Sequence, residues 1–386
     1  MSSSSPTRAR GGERRERGLW AAALIITTFS RVRQILGMLN WQDTYRLSRF
    51  ALIRADDHGF VLESALNNKQ FRVRGISVMR ILAALSQPVR LELLLSSLKE
   101  SEREVLCSFL NDCEEAELLT RVREDGRSEE EVGPKGYWEF HDLLFHSLTR
   151  FGRNRRAIGA TYHLKDRLPP EPVLDDDYDP HSLVLPKPDL NQANLPFYQV
   201  LEQRRSRYGQ EPLTQNALGA FLYWTSRVTY LSEFDNGVLI RKLYPSGGGA
   251  HPLRVYVAIN ACHGFTPGLY RYLDREHSLS AIRASDADVQ KFLTDAWNST
   301  GGLGKNSAAL FIISARFRRT AWKYESIAYR LVLMEVGVLL QTMYLAATAL
   351  GLLGCAIGCG DSDHFAQTVG TDYYTETSVG EFLLGA

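Results

Sequence analysis

Between Tyr45 and Asp125 the spacing of apolar and polar positions changes from two-residue to helical. Arg46 to Ile53 alternates, which predicts a half-buried strand. Asp56-Asp57-His58-Gly59 reads as a turn, with Phe60 to Leu66 as the returning hairpin partner. Phe71-Arg72-Val73-Arg74 predicts a short third strand. Helical spacing then covers Val78 to Leu85, Pro88 to Leu98 and Glu102 to Ala116, with Ser101 placed as the N-cap of the last and Glu104 at its third position. Leu118 to Val122 predicts the start of a wing. With the aromatic helix Tyr137–His146, expected to pack on another domain, this gives a winged-helix-like module over residues 41–165.

Residues 166–196 interrupt the periodicity. Leu168 to Pro196 holds seven of the chain's fourteen prolines beside Asp175-Asp176-Asp177, a composition that predicts an extended connector. Residues 197–386 then form a separate domain. It opens with a helix at Phe197, carries strands at Val238–Leu243 and Arg254–Ile259, and contains a long apolar helix from Ile327 to Leu350. That helix is apolar nearly all round, with Arg330, Glu335 and Gln341 as exceptions. This predicts burial on most faces, as in a dimer core, rather than a membrane span.

Charge and cysteine content narrow the functional classes. Lys plus Arg (45) nearly balances Asp plus Glu (44), so no whole-molecule field favours nucleic acid or membrane. The helix where a winged helix would read DNA carries Glu102, Glu104, Asp112, Glu114, Glu115 and Glu117 against Arg103, which repels phosphate and favours a peptide or protein partner. Five cysteines without a regular framework suit a reducing compartment, and a cytoplasmic location is expected. His141 and His146 miss the i, i+4 spacing of a helical metal pair, so no metal is expected. Arg8, Arg10, Arg14, Arg15 and Arg17 precede an apolar run from Leu19 to Phe29, but no small-residue cleavage site follows and the run is too short to span a bilayer. Residues 1–40 are therefore expected to be a disordered or helical arm, or sequence upstream of a start near Met38.

Four segments of the C-terminal domain carry chemistry. Arg204-Arg205-Ser206-Arg207 clusters guanidinium forks and a hydroxyl, which suits a phosphate. Tyr244-Pro245-Ser246-Gly247-Gly248-Gly249-Ala250-His251-Pro252 lets backbone approach a flat or anionic ligand closely. Trp322-Lys323-Tyr324-Glu325 places two titratable donors side by side. Leu350 to Gly360 ends in Cys355-Ala356-Ile357-Gly358-Cys359-Gly360.

In this order, from Phe197 to Gly385, the segments resemble the nitroreductase superfamily, and within it the SagB-type azoline dehydrogenases of thiazole/oxazole peptide biosynthesis. "WEFHDLLFH" and "RFGRNRRAIGATY" upstream are similar to cyanobactin oxidases. The resemblance implies an α+β fold, an antiparallel-rich sheet flanked by helices, forming a homodimer with FMN at its interface. It implies that Arg204, Arg205, Ser206 and Arg207 hold the FMN phosphate, although Ser206 and Arg207 are adjacent where the family has an intervening residue. Pro245, Ser246, Gly247 and Gly248 would pack under the isoalloxazine, and Ile357, Gly358 and Cys359 would offer backbone N–H near its N5. Lys323 and Tyr324 match the family's catalytic pair.

The function so implied is oxidation of a peptide thiazoline or oxazoline to the aromatic azole. Its expected partners are an azoline-containing precursor peptide and a cyclodehydratase. A generic NAD(P)H-dependent flavin nitroreductase and a scaffold subunit of a cyclodehydratase complex are the competing readings.

Overall fold

The computed structural model describes residues 39–73, 76–96, 100–152, 154, 156–174, 179–189, 195–234 and 237–386. The arm expected at 1–40 lies outside them except for its last two residues, and the acidic run Asp175–Asp177 lies outside them entirely. The chain divides into two compact units, before and after the Arg155–Arg156 bond.

In the N-terminal unit, Val89–Arg90, Thr44–Leu47 and Leu119–Val122 form one three-stranded antiparallel sheet, and Ala51–Asp56, Gly59–Ser64 and Gln70–Val73 form a second. The continuous strand expected from Arg46 to Ile53 is thus two strands in two sheets. The break is tertiary: Phe50 is fully buried, and Ser48 Oγ donates to the buried Glu130 carboxylate at 2.5 Å. The helix expected over Pro88–Leu98 is a two-residue strand followed by Leu91–Ser96. The next helix runs Glu100–Glu115, so Ser101 falls inside its first turn rather than at the cap. Leu82, Leu85, Leu91, Leu106, Leu110 and Cys113 bury together as this unit's main core. The aromatic helix, Phe140–Leu148, packs through Leu143 onto Phe50, Ala65 and Leu66 of its own unit.

The C-terminal unit is built on a seven-stranded, wholly antiparallel sheet. Its order is Leu353–Ile357, Glu376–Gly385, Ala309–Arg316, Leu253–Ile259, Gly268–Leu273, Ser278–Ile282, Leu183–Val184. Both faces of its centre are covered, which is why every residue of Ala309–Arg316 is buried and its first five, Ala309 to Ile313, are all apolar. On one face Val255, Val257, Phe311, Ile313, Phe382 and Leu384 pack against Gln215–Thr225 and Ala328–Ala349. On the other, Tyr256, Ala258, Leu310 and Ile312 pack against Asp286–Ser299 and Ser362–Val369.

The central helix, Ala328–Ala349, lies against this sheet. Within this chain it buries one stripe, Val332, Glu335, Val336, Leu339, Met343 and Ala347, and leaves Leu333, Met334 and Val338 exposed. By length and composition it is the one helix among the described residues that could cross a membrane. Its buried stripe, however, lies on the sheet and includes a hydrogen-bonded carboxyl group.

Candidate active site

The glycine loop and the Lys-Tyr segment meet. Gly237–Lys242 and Leu253–Ile259 bracket the loop, and its Gly247–Gly249 makes a single tight turn with Gly248 at φ +62°. On the facing side, Phe317–Ala321 is a short helix whose end is closed by hydrogen bonds from Lys323 N and Tyr324 N to Thr320 O, at 3.2 and 2.9 Å. That closure directs both side chains at the turn. A β-carbon on Gly248 would stand 2.2 Å from Tyr324 Oη and 2.8 Å from Lys323 Nζ, so only glycine admits the pair this closely. Lys323 Nζ lies 3.5 Å from the Gly248 carbonyl and 5.4 Å from the Tyr324 ring centre. Pro245 is exposed, and Gly247 rests on Leu331 of the central helix.

Beneath the turn lies a buried polar layer. Ser246 Oγ accepts from His251 N at 2.8 Å and donates to Glu335 at 2.5 Å. Burial pushes the Glu335 carboxyl up to about 7, and its second oxygen is buried without a hydrogen-bond partner. Lys242 is almost fully enclosed and pairs with Asp274 at 2.6 Å. Burial works against its charge, but the Asp274 carboxylate outweighs that and raises its pKa above the ordinary lysine value. Burial, then Lys242 and Arg319, lower His251 to about 4, so this imidazole is neutral at physiological pH. Arg319 ties the loop to its floor, donating to the Ala250 carbonyl through Nε and Nη2 at 2.9 and 2.6 Å.

The arginine segment is anchored elsewhere. It leaves the helix Phe197–Gln203 and runs along the outer edge of the edge strand Leu353–Ile357, where Arg207 N donates to Gly354 O at 3.1 Å. Its side chains divide into two pairs. Arg204 and Ser206 face Tyr344 of the central helix: the guanidinium lies 5.3 Å from the ring centre, and the two hydroxyls are 2.9 Å apart. Arg205 and Arg207 line a cleft with Glu202, Thr348, Gly351 and Leu353. Among the described residues, none of these three arginines pairs with a carboxylate. Arg204 and Ser206 thus meet Tyr344, while Arg205 and Arg207 line the cleft beside Thr348 of the same helix.

Tyr344 also accepts a hydrogen bond from Ala356 N at 2.8 Å, and so connects the arginine segment to the strand that leads into Ile357, Gly358 and Cys359. Ile357 is buried; Gly358 and Cys359 are exposed, and nothing lies within 4 Å of the β-carbon that Gly358 lacks. Behind them, the Glu381 carboxylate packs directly against Gly360, and burial, then Asp295 and Asp361, push it up to about 7. The two stations contact the central helix at Glu335 and Tyr344, nine residues or about 13 Å apart. Tyr344 and Glu335 thus position segments that were legible in the sequence, but their own part was not. Tyr344 had no distinguishing signal, whereas Glu335 stood out as a charge in an apolar helix.

A family model for the cyanobactin oxidase ThcOx matches residues 45–155, and one for the nitroreductase family matches residues 201–385. The chain is similar to the nitroreductase-like protein MJ1384 of Methanocaldococcus jannaschii, with 34% identity over 173 residues, 44% of this chain and 81% of that protein. It is similar to the trifolitoxin-processing protein TfxB of Rhizobium leguminosarum bv. trifolii, with 29% identity over 132 residues, 34% of this chain and 35% of that protein. With the microcin B17-processing protein McbC of Escherichia coli it shares 27% identity over 141 residues, 35% of this chain and 51% of that protein. The matched stretches span about a third and a half of the two peptide-processing relatives. The chain belongs to the nitroreductase family of oxidoreductases, joined to a cyanobactin-oxidase-type N-terminal region as its resemblance to SagB-type azoline dehydrogenases implied.

Proposed function

We propose that the protein is an FMN-dependent azoline dehydrogenase, oxidising thiazolines or oxazolines of a modified peptide to the aromatic azoles. The observation that carries this reading is the convergence of Lys323 Nζ and Tyr324 Oη on the backbone of Gly248. Two proton-handling groups at a flat, side-chain-free surface suit removal of a ring proton beside a planar acceptor. Small-molecule reduction requires no such pair.

The residues present fit FMN. Arg204, Arg205 and Arg207 offer positive charge with no carboxylate partner among the described residues, and Ser206 adds a hydroxyl, a donor set matched to phosphate. Gly248 and Gly358 present exposed backbone at which a flat ring can lie. When bound, FMN supplies the two-electron acceptor. The chain's own part is to orient the peptide ring over Gly248 and to take the ring proton on Lys323 or Tyr324. The exposed Leu333, Met334 and Val338 of the central helix suit a second copy, giving a homodimer with FMN at its interface. Residues 41–165, acidic along Glu100–Glu115, suit recognition of the precursor peptide, and a cyclodehydratase is the partner that would supply the azoline.

The test is incubation of the FMN-loaded protein with a cyclised precursor peptide under air, followed by mass spectrometry. Loss of two hydrogens per ring supports the reading. Rapid turnover of NADPH and a nitroaromatic without azole formation would make it a general flavin reductase instead. Failure to bind FMN at all would leave a scaffold.

A further inference from the structure

Residues 157–168 fall between the two matched family regions, yet they are bound closely to the segment that carries Lys323 and Tyr324. Gly159 and Glu325 exchange both backbone hydrogen bonds, at 3.1 and 2.9 Å. Tyr162 N donates to the Lys323 carbonyl at 3.1 Å. Thr161 Oγ1 donates to Glu325 Oε2 at 2.8 Å, Ser326 Oγ to Ala157 O at 2.8 Å, and Trp322 Nε1 to Leu168 O at 2.7 Å. The strap thus engages every residue from Trp322 to Ser326 except Tyr324.

Two residues of this junction hold left-handed backbone without being glycine: Tyr162 at φ 55° and Ser326 at φ 63°. Such conformations persist where surrounding contacts over-determine them, and they cluster at functional sites. The turn at Tyr162 delivers its ring to the active pair. The ring meets Trp322 edge-on, with centroids 5.6 Å apart at 85°, and its centre lies 5.8 Å from Lys323 Nζ. Among the described residues no carboxylate pairs with Lys323, and the nearby carboxylate, Glu325, is engaged by Thr161. Lys323 Nζ is surrounded instead by the Gly248 carbonyl and the rings of Tyr162 and Tyr324. A lysine side chain free of such neighbours samples many rotamers. Aromatic faces attract a cation within about 6 Å and narrow that range.

We propose that Tyr162, delivered by the strap 157–168, is a positioning residue that holds the Lys323 amino group over the Gly248 turn. The active site then depends on a segment outside the nitroreductase domain proper. This inference rests on the reading of Lys323–Tyr324 as the proton-handling pair, so its test has one arm that needs no substrate.

In the full-length, FMN-loaded protein, Tyr162→Leu removes the aromatic face and Tyr162→Phe keeps it. The first arm measures acylation of Lys323 by an amine-selective reagent, quantified by peptide mass spectrometry against the exposed Lys305 in the same molecule. Tyr162→Leu is expected to change the Lys323 to Lys305 labelling ratio severalfold, and Tyr162→Phe to restore the wild-type ratio. The second arm measures azoline oxidation, where Tyr162→Leu is expected to lower kcat about tenfold with KM within about twofold, again restored by phenylalanine. An unchanged labelling ratio in Tyr162→Leu overturns the proposal, as does a changed ratio with unchanged kcat. If the wild-type protein oxidises no azoline, the functional reading fails while the labelling ratio still decides whether Tyr162 holds Lys323.

Discussion

Replacing Gly248 by alanine separates the geometry of the active pair from the stability of the loop that faces it. The residue stands at φ +62°, where an L side chain costs about 1–2 kcal/mol. Its new β-carbon would lie 2.2 Å from Tyr324 Oη and 2.8 Å from Lys323 Nζ. Recovering van der Waals distance requires those atoms to retreat by about 1 Å or more. Both are the ends of long side chains, so they swing aside without unfolding the turn, and the loss falls on placement. Misplacing a reacting group by that much is worth on the order of 100-fold in rate. Gly249 provides the control: at φ +69° it takes the same strain, but nothing lies within 4 Å of its absent β-carbon. Urea unfolding is expected to show about 1–2 kcal/mol lost in both Gly248→Ala and Gly249→Ala. Azoline oxidation at saturating FMN is expected to fall about 100-fold in Gly248→Ala and to stay within severalfold of wild type in Gly249→Ala. Full activity in Gly248→Ala, or equal loss in both, would refute the placement of the Lys-Tyr pair against this turn.

Glu335 titrates near 7 in the folded chain against an ordinary 4.5, so the folded protein retains a proton that the unfolded chain releases between those values. Stability therefore falls as pH rises through that window, by about 3 kcal/mol from this group, and is level above it. Glu335→Gln should remove that share in urea titrations at pH 5 and pH 7.5, leaving the slope from Glu381, which is also raised to about 7. Tyr344→Phe keeps the ring beside Arg204 but strands Ala356 N and frees Ser206. FMN titration by fluorescence should show affinity about tenfold weaker, with about 1–3 kcal/mol of stability lost. Arg204→Ala should weaken FMN by about 1.5–3 kcal/mol and lessen the salt dependence of binding, whereas a neutral effect would remove Arg204 from the phosphate site.

Much of the site was legible in the sequence because its chemistry is local. A Ser-Gly-Gly-Gly turn between strands, a lysine next to a tyrosine and an arginine cluster after a helix each announce themselves within a few residues. What relates them is tertiary. Nothing local marks Tyr344 as the link between Ser206 and Ala356, because a tyrosine in an apolar helix reads as core. Prolines placed the connector at 166–196, yet Arg316 and Arg319 fasten the chain near Glu171, Pro172 and Val173 by donating to backbone carbonyls, contacts with no periodicity to detect. Periodicity also overreached. The alternation across Arg46–Ile53 ran through the point where Phe50 turns into the core. The evenly apolar central helix concealed a buried stripe and an exposed one.

Lys323 and Tyr324 are proposed to serve oxidation of an azoline. The most direct test of this role is high-resolution mass spectrometry of a cyclised precursor peptide after incubation with the FMN-loaded wild-type protein and with the Lys323→Ala, Tyr324→Phe double variant, each first shown to bind FMN. The expected result is loss of two hydrogens per ring with wild type and a rate lower by on the order of 100-fold or more with the double variant. Equal azole formation by both proteins would contradict it.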